Sequence, residues 1–430
     1  MKPCFDMFVE LEVPENRYFV LDRSELDSTK VLAGSLSPNP LGPTFVLDQS
    51  LLNSTTDLLE GSGAVLPGYV WVDFTSDTMN CTIDRGVDIT QSVAARPTAG
   101  EFTAAILDPG LNALAEQNVG VGTRMRLRVG NQSVFQGETT SLSVEYDAQG
   151  VPTAYITATD AVARLNSVQM QPRPAESYIS RVIASASAAD VQVEEPLTAL
   201  RAGADGQSLE PTVYADTALR TLVEAQDSEG SLVFIDRNNI MHALTRGEEK
   251  EGSDNPAWTF ANTHRTTLEG KSMSEHTCLS AFVVAMNTEQ VINNIVFQNT
   301  VQTGTDDEGN PVFETLEYTF TAEQSQRYYG IGTLYVQTSL PVDALAPYAQ
   351  HIFDEYSDAK RKVQSLAFPV DNFKDVGVPP ECFIDIGDWT EVVLDEPSGT
   401  ELPLLTSKQR VAQVSHNISP DGWDCQVTLL

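Results

Sequence analysis

The chain has 430 residues, 41% of them hydrophobic, and its 60 acidic against 26 basic side chains give a formal charge of −34. That length exceeds one ordinary core and implies two to four domains at ~100–200 residues each. The hydrophobic content excludes global disorder, and the acid excess excludes a general nucleic-acid clamp, which needs clustered Lys and Arg to displace counterions.

The opening Met1-Lys-Pro-Cys-Phe-Asp6 soon turns acidic and lacks the apolar core of a signal peptide. No run of ~18 apolar residues is present, so no stable membrane insertion is expected, and synthesis in a cytosol is. A repeat follows. Phe19-Val-Leu-Asp-Arg-Ser-Glu-Leu-Asp-Ser-Thr29 returns as Phe45-Val-Leu-Asp-Gln-Ser-Leu-Leu-Asn-Ser-Thr55. Each copy reads as a short strand that bends at Asp-x-Ser, a site of side-chain-to-backbone turns. Pro38, Pro40 and Pro43 keep the chain between them extended. Two such units cannot stack into a solenoid. They read either as an arm laid on another surface or as a hairpin decorating the first domain. Phe19, Leu21, Asp22, Phe45, Leu47 and Asp48 are therefore candidate interface residues.

From Tyr69 to about Asp160 the pattern is β. Tyr69-Val-Trp-Val-Asp-Phe74 alternates, and Arg124-Met-Arg-Leu-Arg-Val129 has strict period two, with Arg124, Arg126 and Arg128 on one face. Those arginines read as a solvated strand face or as a strip that pairs with an acidic neighbouring subunit. Strands 142–146 and 153–158 flank Asp147-Ala-Gln-Gly150, a hairpin signature. Several short strands with turns between them indicate a small barrel or sandwich.

Helical spacing then appears at Asp160–Leu165, Ser177–Ala189 and Asp216–Ser228, with Asp160 and Asp216 as candidate caps and Gly230 after the last. Ser231–Asp236 and Ile240–Leu244 form a hairpin, so helices plus hairpin make an α+β unit. An acidic linker spans 247–257. Long strands follow at 290–302 and 311–321, then a helix at about 341–360. Strands return over 363–430, with turns at Asp395-Glu-Pro-Ser-Gly399 and Pro420-Asp-Gly422.

Chemistry is sparse. No two of His242, His264, His276, His351 and His416 are three or four apart, so no helical metal pair is present. Cys278 with His276 is the nearest nucleophile–base pair, and no orienting group or oxyanion donor adjoins it. Cys4, Cys81, Cys278, Cys382 and Cys425 include no C-x-x-C pair and read as buried free thiols. Asp306-Asp-Glu-Gly-Asn310 lacks the twelfth-position Glu of a calcium loop and reads as a hairpin turn. No catalytic residue, metal ligand or cofactor site is assigned.

The ordered motifs resemble those of minor tail proteins of long-tailed bacteriophages, specifically the tail hub of the baseplate in phages of actinobacteria. Four passages carry the likeness: the amino-terminal repeat; Gly86-Val-Asp-Ile-Thr-Gln-Ser-Val93 with Gly100-Glu-Phe-Thr-Ala-Ala-Ile-Leu-Asp-Pro109; Phe135-Gln-Gly-Glu138 with Ala154–Leu165; and helix 216–228 with Glu229-Gly-Ser-Leu-Val-Phe-Ile-Asp-Arg237. Ile386-Gly-Asp388 and Ile418-Ser-Pro-Asp-Gly-Trp423 resemble the last strands of such hubs.

The resemblance implies a mostly β fold with α+β insertions. It comprises an extended arm (1–68), a first tail-tube-like β-barrel (69–168), a helix–hairpin unit (169–250), a second barrel (251–336 with 363–430) and a helical insertion (337–362). It further implies a homotrimeric, non-enzymatic subunit at the distal tip of the virion tail. Its neighbours would be a tail tube or distal tail protein above and other minor tail or receptor-binding proteins around it, with the tape measure protein a further contact. DNA would pass without specific binding. The alternative is a receptor- or carbohydrate-binding distal tail or surface protein.

Overall fold

The computed structural model describes residues 7–14, 18–19, 31–32, 69–88, 95–107, 119–194, 206–212, 215–246, 256–261, 267–268, 271–272, 279–305, 311–370, 380–395 and 403–430. Most of the repeat and of the acidic linker, together with His276, Cys278 and Asp306–Asn310, lie outside the described residues.

The amino-terminal part supplies β1 (Met7–Pro14), β2 (Tyr69–Asp73), β3 (Thr78–Asp88), β4 (Arg96–Leu107), β5 (Arg124–Val129), β6 (Gln132–Tyr146) and β7 (Pro152–Thr159). Helices α1 (Val162–Ser167), α2 (Tyr178–Ala188) and α3 (Ala218–Glu229) follow, then the hairpin of β8 (Val233–Ile235) and β9 (Met241–Ala243). Next come β10 (Trp258–Ala261), β11 (Ala281–Met286), β12 (Asn294–Thr305), β13 (Pro311–Thr321), α4 (Glu323–Tyr329), β14 (Thr333–Gln337) and α5 (Val342–Tyr356). The series finishes with β15 (Arg361–Pro369), β16 (Trp389–Asp395), β17 (Pro403–Ser419) and β18 (Gly422–Leu429).

The fold is mostly β. Thirteen strands make one sheet, ordered β11-β15-β18-β17-β3-β4-β7-β6-β5-β1-β2, with β16 and then β10 joined to the first half of β17. Long β6 and β17 carry register shifts at Thr139/Ser141 and Val411/Gln413. Such bulges bend and twist a strand, and each strand changes partners along its length. β6 pairs β5 and then β7, and β17 pairs β16 and then β18 with β3. The sheet thereby folds over one shared core, in which Phe102 stacks on Phe135 with centroids 5.4 Å apart and Phe260 meets Phe368 at 5.3 Å.

This arrangement differs from two separate barrels. The β17–β3 ladder makes the two β regions one sheet, and among the described residues no pairing joins its end strands β2 and β11. Alternation specifies which strand face is buried. Closure depends on tilt and stagger, which alternation does not encode.

Three local differences follow. β1, inside the stretch read as an arm, is a core strand with Val9 and Leu11 fully buried between β5 and β2. β12, β13 and β14 form their own sheet and do not join the 363–430 strands. Their inner residues Ile295, Phe297, Leu334 and Val336 pack with α2, α3 and α5 into a second core, where Phe297 stacks on Tyr348 at 5.4 Å. Of the 251–336 stretch, β10 and β11 do join the large sheet. Helix α4 was not foreseen, because only Ser325 of it is buried and its apolar spacing is absent.

The foreseen helices form with adjusted ends. Thr217, rather than Asp216, caps α3 by accepting from Arg220 N at 3.2 Å. Ser177 caps α2, and Asp160 accepts from Val162 N at 3.0 Å at the start of α1. Gly230 ends α3 with φ 70°, and a Cβ there would stand 2.6 Å from Tyr348, so both backbone and space demand glycine. Val87, Ala95, Leu232, Phe234, Ile386 and Ala412 pack the hairpin β8–β9 onto the large sheet. Among the described residues no helix is long and apolar enough to cross a membrane.

Candidate functional site

The three candidate arginines stand on the outer face of β5, as period two predicts, with Met125, Leu127 and Val129 inward. Their partners come from β1, whose sequence Met7-Phe-Val-Glu-Leu-Glu-Val13 has the same period. Arg126 Nε donates to Glu10 Oε2 at 2.6 Å, and Arg128 donates to both Glu10 oxygens at 2.8 and 3.0 Å. Arg124 lies 3.5 Å from Glu12. Arg126 also covers the Trp71 ring at 4.0 Å and Arg128 the Phe8 ring at 3.9 Å. Burial of Glu10 would raise its pKa, but hydrogen bonds from Arg128 and Arg126, with their charges, outweigh it and hold the carboxyl below its ordinary value. The strip is thus engaged within the chain and ties β1 to β5. Phe19 lies in a two-residue parallel ladder with Leu32, and Leu21, Asp22, Phe45, Leu47 and Asp48 lie outside the described residues.

A second charged group locks the hairpin to the sheet. Asp385 receives Arg85 Nη1 at 2.7 Å from β3 and the Arg237 backbone N at 2.9 Å from the β8–β9 turn. Arg85 is 4% exposed, so this is a buried pair. Asp388 accepts from Trp258 Nε1 at 2.7 Å and from Asp385 N at 3.0 Å; burial nonetheless raises its pKa. His242 lies 3.0 Å from Glu194 and 3.3 Å from Asp236, and stacks on Phe234. Burial would lower its pKa, and the two carboxylates together raise it.

The described cysteines are buried, and burial pushes the Cys81 thiol up to about 12 and the Cys425 thiol up as well, opposite to what a thiolate nucleophile needs. Among the described residues no three His, Cys, Asp or Glu side chains converge to hold a metal ion. The tryptophans form no ligand platform. Trp423 is buried against His416, Trp258 is bonded to Asp388, Trp71 lies under Arg126 and Trp389 under Arg410.

Among the described residues the surface offers sheet edges and a cleft rich in cations. β11 ends the sheet as Ala281-Phe-Val-Val-Ala-Met286, uncharged, with Phe282, Val283 and Met286 exposed. β2 ends the other side with Asp73 its single charge. The cleft, of about 940 Å³, is lined from α5, β15 and β17 and includes Lys360, Arg361, Lys362, Lys408 and Arg410. The sequence reading did not single out β1, Asp385 or this cleft. The period-two run at 7–13 and the Lys360-Arg-Lys362 run were the available signals.

No protein-family model matches the sequence, and no curated protein matches it. Solved structures do. A tail protein from Neisseria meningitidis is similar with a TM-score of 0.53 and 12% identity, over 84% of this chain and 93% of that one. The 43 kDa tail protein of prophage MuSo2 from Shewanella oneidensis is similar with a TM-score of 0.52 and 12% identity, over 84% and 94%. At such identity the shared property is the fold, and the chain has a fold of the phage tail-protein kind along most of its length.

Proposed function

We propose that the chain is a structural subunit of a bacteriophage tail tip. It is a hub that caps or continues the tail tube and organises the baseplate for host attachment and DNA passage. The observation that carries this reading is the fold shared with two tail proteins over 84% of the chain. The open sheet agrees with it. Soluble monomers blunt their edges with Lys, Pro or bulges; β11 carries no charge and no proline, and its blunting is limited to one register shift at Val283/Val284. Edges of this kind are covered when copies assemble, and head-to-tail contacts that close make rings.

In this reading three copies form the hub. In each, the 69–168 strands and the strands of β10, β11 and 363–430, joined in one open sheet, take the places of the two tube-like barrels. The tail tube or a distal tail protein sits above, and other minor tail or receptor-binding proteins sit around or below. The protein works by geometry and carries out no chemistry of its own. DNA passes without specific binding, because a chain of charge −34 repels phosphate. Mass spectrometry and cryo-electron microscopy of purified virions test the proposal. A ring of three copies at the distal tail tip is the expected result, and absence of the chain from purified tails refutes it.

A further inference from the structure

The sheet of β12, β13 and β14 buries one face on the helices and leaves the other exposed. Alternation places Thr333, Tyr335 and Gln337 of β14 on the outer face, and the register sets Asn294 beside Thr333 and Gln298 beside Gln337. From β13 come Glu317, Thr319 and Thr321. Hydroxyls and amides thus dominate, and they are tied across the strands. Asn294 Nδ2 donates to Thr333 Oγ1 at 3.0 Å, and Gln298 Nε2 donates to Glu317 Oε1 at 2.8 Å. Over the length shared by the three strands Glu317 is the single charge on this face, in a chain of which 20% is charged.

Aromatic side chains join this face. Tyr328, Ile331 and Tyr335 are 78%, 74% and 64% exposed, and Tyr329 is exposed with them. Apolar residues exposed singly need no explanation, whereas a group of them does. The corner between α4 and β14, which carries Tyr328, Tyr329 and Ile331, adjoins the end of the outer face and is pinned there. The buried Asn293 donates from Nδ2 to Gly330 O at 2.7 Å and accepts from Gly332 N at 2.9 Å, while Gln326 Nε2 donates to Asn293 O at 2.9 Å. A Cβ on Gly332 would collide with Val291 O, so the chain passes too closely for any other residue. The rings therefore stand on a backbone ordered before any ligand arrives, which lowers the cost of binding. From Ile331 to Gln337 the surface runs ~20 Å. Its chemistry matches a sugar. Phenol rings stack on the C–H face of a pyranose, and neutral amides and hydroxyls exchange hydrogen bonds with its hydroxyls. A protein-docking patch has a more apolar centre, and a charged ligand meets no cation on this face, since Arg327 of α4 is paired with Glu323 at 3.7 Å.

We propose that the outer face of the β12–β14 sheet, with the Tyr328–Ile331 corner, binds a neutral polysaccharide, Tyr335 and Tyr328 stacking on sugar rings and Thr333 and Gln337 meeting its hydroxyls. The inference goes beyond the hub reading and does not rest on it. An array of neutral and anionic oligosaccharides probed with the labelled full chain tests it, followed by titration of the strongest hit. Neutral glycans should be retained, and their binding should be indifferent to salt because no charge is neutralised. Tyr328→Ala with Tyr335→Ala should weaken binding at least about tenfold. Tyr328→Phe with Tyr335→Phe keeps both rings and should stay within about threefold of the parent. Both positions are exposed, so the melting curves of the three proteins should coincide. An array without a neutral hit, anionic hits alone, or alanine variants that bind like the parent overturn the inference. Loss of self-association by the alanine variants, with no neutral glycan bound, also overturns it and makes the face a subunit contact.

Discussion

Glu10 is 5% exposed and accepts three guanidinium hydrogen bonds, so Glu10→Gln probes what holds β1 in the sheet. The substitution keeps the shape, removes the charge and turns one acceptor into a donor facing an arginine. Breaking a buried ion pair from one side costs about 3–5 kcal/mol. Arg126 and Arg128 are 26% and 23% exposed, so water recovers part of the loss and the expected cost is ~2 kcal/mol. Urea denaturation at neutral pH should show a lower midpoint at unchanged slope. The carboxyl is depressed in the fold, so its stabilisation is present above its unfolded value of 4.5 and is lost as pH falls through the folded value. Parent and variant should therefore converge in acid. A difference under ~0.5 kcal/mol at neutral pH, or one that persists unchanged in acid, would refute the assignment of Glu10 as the clamp.

Asp160 and His416 set opposing pH slopes. Burial pushes Asp160 from 3.8 up to about 7 against hydrogen bonds from Gly100 and Val162, so its stabilisation is full below 3.8 and is lost as pH rises through 7. Burial pushes His416 from 6.5 down to about 3, so its stabilisation is full above 6.5 and is lost as pH falls through 3. The two cancel over roughly pH 4–6.5. In that window Asp160→Asn should leave stability rising by ~1.4 kcal/mol per pH unit, and His416→Gln should leave it falling equally, both read by denaturation at a series of pH values. Gly230→Ala places a methyl 2.6 Å from Tyr348 at φ 70° and should lower stability by about 2–3 kcal/mol, seen as a reduced melting temperature. Gln409 is 4% exposed and bonds both Val363 backbone groups, at 3.0 and 2.9 Å. Gln409→Leu should cost about 2–3 kcal/mol by leaving both unsatisfied.

Much of the β framework was legible because period two dictates which face is buried. Met125, Leu127 and Val129 turned inward as their spacing requires. The glycines of the resembling motifs also have physical reasons. A Cβ on Gly100 would stand 2.6 Å from the Asp160 carboxylate, and one on Gly86 or Gly137 would meet Gln413 or the Thr159 carbonyl. What stayed hidden is pairing at long range. Nothing in 7–13 names 124–128 as its partner, although Glu10 and Glu12 alternate opposite the three arginines. Nothing in 290–321 distinguishes a strand covering helices from one in the large sheet, since both need one apolar face. The cleft was illegible for the same reason: Arg246, Lys360–Lys362 and Lys408–Arg410 meet only through tertiary packing.

The placement of the few cations then bears on how like-charged copies can assemble at all. Arg85, Arg126, Arg128 and Arg181 lie in ion pairs inside the chain, which leaves the outer surface strongly acidic. Two copies of charge −34 repel at long range. That repulsion decays over ~8 Å at physiological ionic strength, whereas a partly buried contact pair is screened much less. A local cluster such as the cleft, which acts only near contact, can then prevail over the global field. Self-association should accordingly be strongest at intermediate salt. At low salt the field of the whole copy dominates, and at high salt contact ion pairs between copies are themselves screened. A steady rise in association with salt would point to the apolar edges β2 and β11 as the sole adhesive surfaces, and a steady fall would mean that the net charge plays no part.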